Sequence, residues 1–251
     1  MWFFEQISDG VGAFNIALGV RLTGSLNIST LDQTVSEIIR RHEGLRTVFP
    51  AVNAKPVQII QSPPRFTLPV VDLRNLSLEE REREASRLAQ EETRRRFDLA
   101  NGPLVRPTLL RMSDEEHIVI CTMHHIIGDG QSFEVVIVEM SQLYSSFSQG
   151  QPSPLTELSV QYVDYAAWQR QWLQGEELEK RLAYWRKQLA DAPEHLPLPQ
   201  RRARPKVQGF DGVRHTGAIS GDEAEAVREL SRQQGLTSFM TMLSAWVLLL
   251  K

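Results

Sequence analysis

The chain has 251 residues, 41% hydrophobic and 24% charged, an ordinary globular composition sufficient for one large domain or two smaller ones. A formal net charge of −3, with both signs mixed along the chain and no basic arm or acidic tail, argues against nucleic acid or an acidic membrane surface as partner. The single cysteine, Cys121, excludes an intramolecular disulfide and fits a reducing, cytoplasmic setting.

The opening residues Met1-Trp2-Phe3-Phe4-Glu5 lack the basic region and long apolar stretch of a secretory signal. Residues 13–22 are rich in apolar side chains and close at Gly24, which predicts a strand. A helix is expected to start at Ser29-Thr30-Leu31-Asp32, present Leu31, Val35, Ile38 and Ile39 on one face, and end near Glu43-Gly44. Short strands are expected at 47–49 and 57–60. Residues 77–96 form a second helix, dense in Glu and Arg and read as a solvated face. Residues 104–111 and 117–123, joined by Ser113-Asp114-Glu115-Glu116, predict a β-hairpin, with Cys121 as a small buried thiol in its second strand.

A helix is expected at 132–146 and a loop at 151–154. From 162 to 189 the pattern is helical, and Tyr162, Tyr165, Trp168, Trp172, Tyr184 and Trp185 are read mostly as core. Four prolines between 193 and 205 mark a connector. After it, a strand at 213–219 and a helix at 221–234 are expected. A last helix begins near Thr237. Its apolar tract, 239–250, has twelve residues, short of the roughly 20 that span a membrane, so it is expected to be a buried helix. It reaches Lys251 with no cap, glycine or proline, which points to an artificial boundary. The overall expectation is an α/β fold with a mixed sheet flanked by helices.

The informative stretch is Met123-His124-His125-Ile126-Ile127-Gly128-Asp129-Gly130-Gln131-Ser132. Two histidines end a buried strand, and Asp-Gly opens the following helix. A strand end is where a side chain faces a cleft while being rigidly held. Histidine can accept or donate a proton near neutrality. His125 is therefore expected at a strand end facing a cleft.

The pattern His-His-x-x-x-Asp-Gly resembles the active-site signature of condensation domains of nonribosomal peptide synthetases, which share the fold of chloramphenicol acetyltransferase. Arg41-His42-Glu43-Gly44-Leu45-Arg46-Thr47-Val48-Phe49 is similar to the family's second core motif, and Tyr162-Val163-Asp164-Tyr165-Ala166-Ala167-Trp168 to its fourth. Leu182-Ala183-Tyr184-Trp185, with Leu196-Pro197-Leu198-Pro199 and Arg204-Pro205, resembles the segment leading into the second lobe. Trp2-Phe3-Phe4-Glu5-Gln6 looks like the tail of the first motif. The resemblance thus implies a partial domain: an N-terminal lobe at 1–192, a connector at 193–212, and the start of a truncated C-terminal lobe at 213–251.

The resemblance implies amide formation between two thioesters, with His125 catalytic and His124, Asp129 and Gly130 in support. Gly130 would let the backbone approach the reacting carbonyl. Asp129 resembles an aspartate paired with an arginine, either Arg46 or one in the second lobe. Arg41, His42 and Arg46 are structural members of their motif. No metal and no directly bound cofactor is implied; substrates arrive on the phosphopantetheine arms of donor and acceptor carrier domains, next to an adenylation domain. Competing readings are an epimerisation domain, a degenerate module that only recruits partners, and an acyltransferase using acyl-CoA. The Gly130 and Ser132 positions favour condensation, although the family more often has tryptophan where Gln131 stands. Heterocyclisation domains replace the histidines with aspartates. Alone, the 251-residue piece is expected to be inactive and prone to associate.

Overall fold

The computed structural model describes residues 1–7, 12–64, 66–193 and 215–250. The chain divides into two compact units, Met1–Leu182 and Ala183–Lys251.

The first unit is built on β8 (Glu116–His124), whose run of Ile, Val, Cys and Met suits a strand covered on both faces. It pairs antiparallel with β1 (Asn15–Thr23) on one edge and with β7 (Val105–Arg111) on the other. Beyond β7, the short β6 (Val70–Asp72) pairs parallel, giving a mixed sheet in the order β1-β8-β7-β6. The hairpin and β1 stand close to where the alternating pattern puts them.

Alternate side chains of the sheet serve two helical layers. Met123 with Val105, and Leu109 with Val35, pack towards α2 (Ile28–Arg41) and α4 (Gly130–Ser148). Ile120, Leu110 and Met112 pack towards α3 (Leu78–Arg94) through Ala85. The expected apolar face of α2 is buried in full: Leu31, Val35, Ile38 and Ile39 are all core.

Helix ends follow their capping side chains. Ser77 and Glu80 form a reciprocal cap on α3, and the Asp129 side chain accepts from Ser132 N–H at the start of α4. At α2 the expected start is corrected. Asn27, not Ser29, accepts the Thr30 N–H, because its side-chain oxygen reaches into the first turn. The expected end is corrected too. The helix stops at Arg41, His42 is extended, and Glu43–Arg46 is a 3-10 turn in which Gly44 is not left-handed.

Two-residue strands follow: β2 (Thr47–Val48) pairs with β5 (Ile59–Ile60), and β3 (Ala51–Val52) with β4 (Lys55–Pro56). The helical region at 162–189 is two helices, α5 (Tyr162–Trp172) and α6 (Gly175–Gln188). Gly175 has φ +55°, a backbone geometry glycine adopts without strain and where the helical path is interrupted. The six-residue α1 (Trp2–Ile7) was not foreseen.

In the second unit, α7 (Gly221–Gln233) is capped reciprocally by Ser220 and Glu223, and α8 (Ser238–Leu249) by Thr237. A Ser231–Thr241 hydroxyl pair at 2.8 Å joins the two helices. The expected strand at 213–219 is absent over residues 215–219, and its first two residues lie outside the described ones. The expected connector also lies outside them, apart from Pro193. The reading of α8 as a buried helix is corrected: none of its residues is buried. Among the described residues, no helix is long and apolar enough to cross a membrane.

Candidate active site

His124 closes β8, and His125 begins the turn that leads to α4. Neighbouring positions at a strand end point to opposite sides, and here the two rings enter different surroundings. His124 is 1% exposed, against Phe14 and Phe97, each with its ring centroid 6.1 Å away. His125 lines a cavity of about 600 Å³ bounded by α4, the 3-10 turn and the start of α5.

The turn is held by four hydrogen bonds. His125 N–H donates to the Phe14 carbonyl (2.8 Å), and Ile127 N–H to the His124 carbonyl (3.1 Å). Ile126 N–H donates to His124 Nδ1 at 3.0 Å. His125 Nδ1 lies 2.8 Å from the Gly128 carbonyl oxygen. A carbonyl can only accept, so His125 Nδ1 carries the proton, and in the neutral ring Nε2 keeps its lone pair. His124 has the opposite tautomer: its Nδ1 accepts, leaving Nε2–H to face Glu5 Oε1 at 3.3 Å. Burial pulls the His124 pKa below the usual histidine range, with Glu5 opposing, so the ring is neutral at neutral pH.

Asp129 caps α4 and reaches no arginine among the described residues. Its Oδ1 accepts from Ser132 N–H (2.9 Å) and Ser132 Oγ–H (2.8 Å), and these bonds hold its carboxyl below the usual range. Arg46, one of the two expected partners, binds Glu43 at 3.2 Å and the Gln61 carbonyl at 2.5 Å. Asp129 lines the cavity with His125, but Gly130 does not. A Cβ on Gly130 would meet nothing within 4 Å. The tightly placed glycine is Gly128, where a Cβ would stand 2.7 Å from Met123 Sδ.

The motif around Arg41 is structural in this geometry. Arg41 is 6% exposed and donates to Glu139 of α4 at 3.1 Å and to the Thr156 carbonyl. His42 reaches the cavity, but its Nε2 is 2.6 Å from the same Glu139. Cys121 is partly buried, and desolvation pushes its thiol up to about 12, so it is no nucleophile at neutral pH.

Two features were missed. Gln161 lines the cavity, accepts Glu43 N–H at 3.2 Å and donates to the Arg41 carbonyl at 2.9 Å, tying α5 to the 3-10 turn. The aromatic residues read as core are exposed. Tyr162, Tyr165, Trp168 and Trp172 recur at spacings of three and four, so their rings stack on one another along α5 rather than entering the sheet. The Trp168 and Trp172 rings are 5.3 Å apart and nearly parallel, and Arg181 lies 4.5 Å over the second. Tyr184 and Trp185 are 57% exposed. Tyr162 and Tyr165 line the cavity, so this ribbon leads to His125.

A family model described as "Condensation domain" matches residues 1–251. The chain is 42% identical over 246 residues to malpinin synthetase of Mortierella alpina, covering 98% of this chain and 3% of that protein. Its fold is similar to SgcC5 from Streptomyces globisporus (TM-score 0.69, 26% identity, 95% of this chain, 53% of the other). It is also similar to the starter condensation domain of rhizomide synthetase RzmA (TM-score 0.69, 20% identity, 77% of this chain, 46% of the other). The chain therefore spans about half the length of these solved relatives.

Proposed function

The chain belongs to the condensation-domain family, and from that premise we propose that it forms part of an amide-forming domain in a nonribosomal peptide synthetase, with His125 as the catalytic residue. The observation that carries the reading is the tautomer of His125. With Nδ1–H committed to the Gly128 carbonyl, Nε2 is left as a proton acceptor on a side chain that lines the cavity.

In the proposed reaction two acyl groups arrive as thioesters on the phosphopantetheine arms of a donor and an acceptor carrier domain. The acceptor's α-amine attacks the donor carbonyl, a C–N bond forms and the C–S bond breaks. One amine proton ends on the departing thiol, by way of His125 Nε2. An α-amine has a pKa of about 7.7–8.0, so roughly a tenth is already unprotonated at neutral pH. A general base contributes about 10²–10⁴-fold, whereas holding two reactants in line reaches effective molarities of about 10⁵–10⁸ M. Positioning is therefore the larger contribution, and His125 orients the amine as well as receiving its proton.

His124, Asp129 and Gly130 are proposed as support: a buried wall of the turn, a helix cap, and an open backbone position. Arg41, His42 and Arg46 hold the scaffold. Residues 1–192 are assigned to the N-terminal lobe, 193–212 to a connector, and 213–251 to the opening of a second lobe. The partners are the two carrier domains and an adjoining adenylation domain, in the cytoplasm. The test is product formation between two loaded carrier proteins by the complete domain. His125→Ala is expected to lower turnover by about 10²–10⁴-fold, with circular dichroism unchanged. Near-normal turnover in a folded His125→Ala protein would remove His125 from its role.

A further inference from the structure

We propose that Glu5 is a positioning residue for His125, acting through the buried ring of His124; this rests on the reading that His125 is catalytic. Glu5 is 6% exposed on the short helix α1, and a carboxylate is seldom buried without a partner. Its Oε1 faces His124 Nε2 at 3.3 Å, across 119 residues of sequence.

The geometry gives the contact a consequence at the site. His124 Nδ1 accepts the Ile126 N–H, and that bond helps fix the turn in which His125 Nδ1 meets the Gly128 carbonyl. A neutral imidazole holds one proton, so Nδ1 can accept only while Nε2 is protonated. In the other tautomer His124 Nδ1–H would confront Ile126 N–H, donor against donor, and the turn would have to open. Glu5 offers an acceptor to the Nε2 proton and so selects the tautomer that keeps the turn closed. A carboxylate that fixes a histidine tautomer through its second ring nitrogen is a recurring arrangement; here its effect reaches His125 through the turn.

Simple anchoring of α1 is the competing account, but α1 has other anchors. Trp2 Nε1–H donates to the Phe49 carbonyl at 2.9 Å, and Arg96 donates to the Glu5 main-chain carbonyl at 3.2 Å. Arg96 also stands 3.9 Å from the other carboxylate oxygen, Glu5 Oε2, which leaves Oε1 to His124. The His124 ring is flanked by Phe14 and Phe97, with the Arg106 guanidinium 3.6 Å from the Phe97 centroid. At 1% exposure the ring has little space in which to turn over.

The test compares Glu5→Leu with Glu5→Gln in the complete condensation domain, beside His125→Ala. Glutamine keeps an acceptor oxygen; leucine does not. Glu5→Leu is expected to lower kcat per folded molecule by about 10²-fold, the size associated with misplacing a catalytic group, and to leave KM for the loaded acceptor carrier unchanged. Glu5→Gln is expected to restore most of kcat. Long-range ¹⁵N–¹H correlation on ¹⁵N-histidine-labelled wild type should place the His124 proton on Nε2, a readout that stands even if Glu5→Leu does not fold. A His124 proton on Nδ1, or equal kcat losses in Glu5→Gln and Glu5→Leu, would overturn the proposal. So would a Glu5→Leu protein with lowered Tm and wild-type kcat. Loss of turnover in His125→Ala alongside normal Glu5→Leu turnover sinks the positioning role alone. Retained turnover in His125→Ala sinks the catalytic reading itself.

Discussion

Gly128 and Gly130 stand two residues apart in the turn before α4, and space explains only the first of them. A Cβ on Gly128 would press on Met123 Sδ, in a side chain 1% exposed and closed in by the core cluster around Phe133 and Leu143. That enclosed side chain has little room to give way, and the carbonyl that fixes His125 belongs to Gly128 itself. Gly128→Ala is expected to destabilise the fold by about 1–3 kcal/mol, as overpacking does, and to lower turnover with it; urea denaturation and the condensation assay read both. Gly130→Ala meets open space and should leave the urea midpoint unchanged. If it nevertheless loses turnover, the glycine serves the approach of substrate; unchanged turnover removes Gly130 from the site. At this scale the paired histidines and the Asp-Gly step stand out in the sequence as a turn between a strand and a helix, and the turn before α4 is where they lie. Their partners do not stand out. Nothing in Trp2-Phe3-Phe4-Glu5-Gln6 announces that Glu5 turns inward, because its partner is supplied by the end of β8, 119 residues away in sequence.

Among the elements, what the sequence announces clearly is periodicity and capping. The hairpin β7–β8, α3 with its Ser77–Glu80 cap and α8 after Thr237 all stand within a few residues of expectation. Strands of two or three residues carry too little pattern to read, and β6 joins the sheet through a parallel pairing that no local signal encodes. The aromatic stripe of α5 shows the limit from another side: helical spacing says that rings share a face, not which way that face looks. Between α2 and α4 the apolar packing is joined by a largely buried charge cluster, with Glu139 serving both Arg41 and His42. Removing one member of such a pair leaves the other charged and dry. Glu139→Ala is therefore expected to lower stability by about 3–5 kcal/mol. The double change Arg41→Met with Glu139→Leu should recover much of the loss. A Glu139→Ala protein with an unchanged urea midpoint would mean that Arg41 finds another acceptor beyond the Thr156 carbonyl.

For the whole molecule, the informative quantity is apolar surface that the described residues leave uncovered. The chain spans about half the length of these solved relatives, and α8 carries large apolar side chains over most of its surface, Thr241 and Ser244 apart. Phe239, Leu248 and Leu249 are 72%, 72% and 74% exposed, and Met242, Leu243, Trp246 and Val247 are also exposed. A helix of that kind belongs inside a larger core. Burying each large apolar side chain is worth about 1.5–3 kcal/mol, so several together give a strong drive to find a cover. The 251-residue chain on its own is expected to self-associate and to bind a hydrophobic dye such as ANS. An extended chain carrying the rest of a condensation domain should be monomeric and dye-silent. Replacing Leu248 and Leu249 with lysine in the 251-residue chain should reduce association in sedimentation velocity without disturbing the first unit, whose core draws on none of these residues. A soluble monomer that binds no dye would show that α8 needs no cover, and the assignment of 213–251 to the opening of a second lobe would lose its physical support.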